Sequence, residues 1–260
     1  MKNTLLNRSL VVGITVVAAL SFGSPAFSAV DLHFGVYTSN KPTTMITKFR
    51  PVLDVLEDDL TQLLGEEVRI QLKIARTYEE GRRQLVDGKV DFARFGPVSY
   101  ILAKEQQPGI SILAIESNKG ARRFKGVIAV PGDSNLTDIE QVKGKRFAFG
   151  SETSTIGRYL SQLYLLQHDI KAGDLAGYKY LGRHDKVGAM VAAGQFDAGA
   201  LNEKTFTKLV KKGKALKVLA TFPCPTKPWL GRSGLSERVR SALATALLGL
   251  KYKKALAAIR

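Results

Sequence analysis

The run Phe147-Ala148-Phe149-Gly150-Ser151-Glu152-Thr153-Ser154-Thr155-Ile156-Gly157-Arg158-Tyr159-Leu160 reads as a short strand, a hydroxyl-rich loop and the start of a helix. A strand feeding a helix through a short loop is the repeating unit of an α/β fold. The start of that helix exposes unpaired N–H groups and the positive end of the helix dipole. With the Ser154 and Thr155 hydroxyls added, it can hold an oxyanion without a cationic side chain. The same two residues also suit plain helix capping, and the motif by itself leaves both readings open. It is not a phosphate-binding P-loop, because the flanking glycines and the Lys-[Ser/Thr] ending are missing.

Outward from this stretch the chain alternates short β-rich runs with longer helical ones, which implies a mostly parallel sheet. Strands are expected over 32–37, 68–74, 92–95, 110–115, 126–130, 146–149, 178–181, 198–201 and 216–220. Helices are expected over 44–64, 78–86, 98–105, 136–142, 155–167, 186–193, 205–211 and, as one or two pieces, 236–260. In the first helix, Ile46, Phe49, Val52, Leu53, Leu56, Leu60 and Leu63 share one face, and Gly65 stops it. Two junctions rich in Gly, Lys, Arg or Pro, at 117–125 and 222–228, divide the chain into three pieces. The expected organisation is a signal peptide at 1–28, a first lobe at 30–120, a second, inserted lobe at 121–224, and a return to the first lobe at 225–260. Such an insertion leaves a cleft between lobes, where small ligands bind.

The N-terminus supports export. Lys2 and Arg8 precede the uncharged run from Ser9 to Val30, and small residues follow its apolar centre, as signal peptidase requires. Cleavage is expected between Ala26 and Ala29, placing the mature protein in a periplasm-like space. The single cysteine, Cys224, excludes an internal disulfide, and no later apolar run is long enough to span a membrane. The formal net charge is +16, which favours anionic partners. It does not indicate nucleic acid, since no recognition motif accompanies it.

With these features the chain resembles the periplasmic phosphonate/phosphite-binding proteins of ABC transporters, the PhnD-like family, over most of 31–250. The residues carrying the resemblance are Phe34-Gly35-Val36-Tyr37 with Phe49-Arg50-Pro51, the run from Gly88 to Pro97, that from Phe149 to Gly157, and Gly182-Arg183-His184-Asp185 leading into the run from Ala192 to Ala200. The resemblance implies a type II periplasmic-binding fold, α/β and two-lobed, closing on ligand in the cleft. It maps a phosphonate-holding Ser-Thr-Ser onto Ser154, Thr155 and Ile156, where the third hydroxyl is lost and a backbone N–H remains. It maps an oxyanion-contacting histidine onto His184, and two aromatic hydroxyls onto Tyr78 and Phe124, of which only Tyr78 can donate. Where aminoalkylphosphonate binders carry two carboxylates, this chain has Lys204 and Lys227, which would repel an ammonium group.

The expected function is therefore capture of a small phosphorus oxyanion (phosphonate, phosphite or phosphate) by an exported monomer for an inner-membrane permease. A sensory input domain acting on a membrane signalling protein is the alternative. An enzyme on the same fold is disfavoured: Asp185 is adjacent to His184 and so points elsewhere, Cys224 has no sequence-local base, and no metal-ligand spacing is present. No cofactor or metal is expected.

Overall fold

The computed structural model describes residues 29–117 and 120–250; the expected signal peptide at 1–28 and the tail at 251–260 lie outside them. The first piece builds β1 (Val30–Tyr37), α1 (Pro42–Leu64), β2 (Val68–Ala75), α2 (Tyr78–Val86), β3 (Phe92–Arg94), α3 (Pro97–Gln106) and β4 (Ser111–Ile115). The middle piece follows with β5 (Arg123–Pro131), a 3-10 turn at Ile139–Val142, β6 (Arg146–Phe149), a π-helical turn at Thr155–Leu160, α4 (Ser161–Gln167), β7 (Gly177–Tyr180), α5 (His184–Ala192), β8 (Ala198–Asn202), α6 (Glu203–Lys211) and β9 (Leu216–Pro225). The chain then enters β10 (Pro228–Gly231) and α7 (Glu237–Gly249). Among the described residues no helix is long and apolar enough to cross a membrane.

Two five-stranded sheets result, ordered β2-β1-β3-β10-β4 and β7-β6-β8-β5-β9. They are more mixed than the alternating pattern implies. β1 runs parallel to β2 and β3, and β6 parallel to β7 and β8. The antiparallel pairs belong to the strands that carry the chain between sheets: β5 against β8 and β9, and β10 against β3 and β4. The segment at 222–228, expected as a linker, is almost entirely strand. Its prolines are accommodated because β9 is an edge strand and Pro228 opens β10, positions where a missing N–H breaks no ladder.

The element β10 ties the end of the chain to its beginning. Trp229 stacks on Phe34 at 5.0 Å between centroids, and Phe34 meets Phe49 edge-on at 5.3 Å, in a core covered by α1 and α7. Each such ring, fully buried, contributes about 1.5–3 kcal/mol. The buried row of α1 is Met45, Phe49, Val52, Leu53, Leu56, Leu60 and Leu64. Ile46 and Leu63, expected inside, are 51% and 48% exposed. Their neighbours Met45 and Leu64 take those places, packed into the core with residues of β1, β2 and α7, a choice made by tertiary packing rather than by spacing within α1. Gly65 ends the helix in the left-handed region at φ 69°, as the sequence suggests. The helix expected at 136–142 is reduced to the 3-10 turn, and that expected at 155–167 begins as a π turn before becoming α4.

Candidate functional site

The loop after β6 is folded on itself by backbone and hydroxyl bonds. The Gly150 N–H donates to the Gly157 carbonyl at 2.7 Å, and the Ser154 Oγ accepts from the Gly157 N–H at 3.0 Å. A Cβ on Gly157 would lie 2.7 Å from the Gly150 Cα, so this crossing admits only glycine. The fold-back leaves Ser154, Thr155 and Ile156 buried against one small cavity of about 20 Å³. Ser154 is thus a helix cap, and it also faces the cavity. The Thr155 Oγ1 reaches across to the first sheet's side and accepts from the Val98 N–H at the start of α3, at 3.1 Å.

From the first sheet come Tyr37, at the end of β1, and Tyr78, the first residue of α2, with rings stacked 3.8 Å apart. The Tyr37 hydroxyl accepts from the Gly96 N–H at 2.7 Å and lies 3.2 Å from the Ser99 Oγ, which fixes the start of α3. Burial raises the Tyr78 phenol pKa, with Tyr37 adding to the shift and a hydrogen bond with Ser154 opposing it. The phenol therefore stays protonated and able to donate. A Cβ on Gly96 would stand 3.0 Å from the Thr155 Oγ1 and 3.3 Å from the Tyr37 hydroxyl, a tight fit that would press on both of these wall groups.

His184 opens α5, 5% exposed; its N–H donates to the Ser39 carbonyl at 3.3 Å. Its Nδ1 is buried with no hydrogen-bond partner among the described residues. Burial, aided by the Lys227 charge, pushes its pKa down to about 3, so the ring is neutral at physiological pH and offers one donor and one acceptor nitrogen. Lys227 lies in the short link between β9 and β10 and lines the cavity, its pKa lowered to about 8 by burial first and by Arg94 next. Phe124, on β5, also lines the cavity.

Seven of the eight residues expected from sequence therefore face one cavity, and Lys204 does not. Lys204 stands exposed on the first turn of α6, outside the lining, although its charge acts on Lys227 and Lys48. Sequence reasoning missed Tyr37, Gly96, Pro97, Asn202 and Cys224 as wall residues. Tyr37 and Asn202 end strands β1 and β8, and the strand ends of α/β sheets are where ligands gather, so a rule was available for those two. The Cys224 thiol, raised to about 12 by burial, is unreactive at neutral pH.

The starts of α2, α3, the π turn, α5 and α6 all contribute to this wall, through Tyr78, Gly96 with Pro97, Ser154 with Thr155, His184 and Asn202. Neither Gly96 nor Arg183 caps its helix with a side chain, so the first N–H groups of α3 and α5 take partners from outside their helices. No carboxylate stands among the described lining residues. Aligned helix starts, hydroxyls, a neutral imidazole and one lysine make a site that attracts an anion and lacks a carboxylate base.

His184 gives a measurable signature. Its unfolded pKa is about 6.5, so between that value and its folded value of about 3 the unfolded chain binds the extra proton and stability falls as pH falls. The slope from this group is about 1.4 kcal/mol per pH unit. Denaturant unfolding of wild type and His184→Asn from pH 7 to pH 4 is expected to show the variant losing less stability on acidification. Parallel profiles would show that the ring is not held neutral.

A cavity walled by two α/β sheets, with helix starts from both aimed into it, defines a two-lobed type II periplasmic-binding fold. The chain belongs to the PhnD-like family of ABC-transporter periplasmic phosphonate substrate-binding proteins, whose match covers residues 34–260. A probable phosphite-binding protein of an ABC transporter, PhnD1 of Prochlorococcus marinus, is 34% identical over 130 residues, 47% of this chain and 43% of that one. The aligned stretch thus spans less than half the length of that relative. The structure of Prochlorococcus marinus PhnD1 in complex with methylphosphonate superposes with a TM-score of 0.72 at 23% identity, covering 87% of each chain. A Xanthomonas citri protein bound to chloride gives 0.70 at 22% identity, over 88% of this chain and 87% of that one. A binding-protein component of a phosphonate ABC transporter from Pseudomonas aeruginosa gives 0.70 at 19%, over 88% and 78%.

Proposed function

We propose that this protein captures a small phosphorus oxyanion, phosphonate, phosphite or phosphate, and presents it to an inner-membrane ABC permease. The observation carrying this reading is the convergence of Ser154, Thr155, His184 and Tyr78, from different helix starts of both sheets, on one cavity with no carboxylate among its described lining residues. Family membership and the methylphosphonate-bound neighbour support it. In this reading the Ser154 and Thr155 hydroxyls, the Ile156 N–H, the neutral His184 ring and the Tyr78 phenol bind the oxygens, Phe124 packs on the ligand, and Lys227 supplies charge. Residues 30–120 with 225–260 act as one lobe and 121–224 as the other. They are drawn together by the Val98–Thr155 and Ser39–His184 bonds and by the Thr205 Oγ1, which lies 3.3 Å from the Asn40 Oδ1. The chain works as a monomer without cofactor or catalytic step, exported by a signal peptide cleaved near residue 28.

A thermal-shift screen of phosphite, phosphate, methylphosphonate and sulfate tests this. A ligand at about 100 times its dissociation constant stabilises by about 2.7 kcal/mol, which is expected for at least one phosphorus oxyanion. A melting curve unmoved by all three phosphorus compounds would count against the function.

A further inference from the structure

Among the described residues lining the cavity, Lys227 alone carries a formal charge, since His184 and Cys224 are held neutral. Behind it stands a group of cations. Arg94, the last residue of β3, is 6% exposed at its side chain and pairs with Glu116, Nη2 to Oε2 2.7 Å. Lys48 of α1 and Arg94 flank one ring, their charged groups 5.4 and 5.5 Å from the Phe49 centroid. Lys204 adds a fourth charge from α6, on the other sheet's side, and its field reaches both Lys48 and Lys227. The Glu116 carboxylate acts on all three lysines, and it also accepts from the Trp229 Nε1 at 3.2 Å. Lys48 and Lys227 are both pushed toward the neutral form, by burial first and by neighbouring cations next. A half-buried lysine among other cations is unfavourable unless an anion joins it.

The Ser154–Thr155 helix start and His184 can take one oxyanion without help from this group. We propose that the ligand is a phosphorus oxyanion carrying a second anionic group, a carboxylate or a second phosphoryl, seated at Lys227 with Lys48 and Lys204 behind it. This rests on the function proposed above and narrows its ligand class. Phosphonoacetate and pyrophosphate are compact probes of that kind, and methylphosphonate has the first group without the second.

Calorimetric titration of the purified exported chain with these three probes tests the proposal. Phosphonoacetate or pyrophosphate is expected to bind about tenfold or more tightly than methylphosphonate, one good charge-assisted contact. Lys227→Gln and Lys48→Gln are each expected to shrink that ratio by about threefold or more, melting curves showing that both variants fold. Methylphosphonate binding as tightly as both bifunctional probes would overturn the second subsite and leave the proposed function standing. An unchanged ratio in both folded variants would overturn it in the same way. If none of the three probes, phosphite or phosphate binds, the proposed function itself fails and this proposal with it.

Discussion

Thr155→Val is expected to weaken oxyanion binding about tenfold or more, because valine keeps the β-branched shape and deletes one hydrogen bond to a charged group, about 1.5–3 kcal/mol. The hydroxyl has a second task. It accepts the Val98 N–H from the opposite sheet, so the substitution also leaves a helix-start donor without its acceptor and weakens the contact between the two sides. Thr155→Ser, which restores the oxygen, is expected to recover most of the affinity. Wild-type affinity in Thr155→Val by calorimetry would remove the loop after β6 from the site.

Discrimination against 2-aminoethylphosphonate is expected to be of similar size, about tenfold or more relative to methylphosphonate. The ammonium would lose its water without meeting a carboxylate and would face Lys227, so desolvation and like charge act in the same direction. The position of each lysine sets the order of the variants. Lys227→Asp, in the cavity wall, is expected to narrow the gap more than Lys204→Glu, whose side chain is exposed on α6. Competition titration against a labelled phosphonate decides this, and preferential binding of 2-aminoethylphosphonate by the wild-type chain would contradict the placement of Lys227.

Residues whose role is set by local spacing were legible in the sequence. The Phe147–Phe149 strand, the turn at Gly150 and the hydroxyl cap at Ser154 follow from neighbours within a few positions, as does the stop of α1 at Gly65. What depended on distant pairing was not. The strand character of Pro223, Pro225 and Pro228 comes from where β9 and β10 sit in their sheets, an edge and a strand start, which local propensity cannot register. Met45 and Leu64 rather than Ile46 and Leu63 face the core through packing against other elements, which spacing within α1 does not decide. In the site, Ser154 and Thr155 stood out because they open a helix and His184 through the family resemblance, whereas Tyr37 joined them only through its stack on Tyr78 and its bond from Gly96. Lys204 and Lys227 looked equivalent along the chain and separate only in space, one on an exposed helix turn and one in the cavity wall.

The most direct test of the central claim is a crystal structure of the purified chain grown with methylphosphonate. The phosphonate oxygens are expected within hydrogen-bonding distance, about 2.5–3.2 Å, of the Ser154 and Thr155 hydroxyls, the His184 ring and the Tyr78 phenol. Ligand density elsewhere on the molecule, with this cavity holding only water at saturating methylphosphonate, would contradict it.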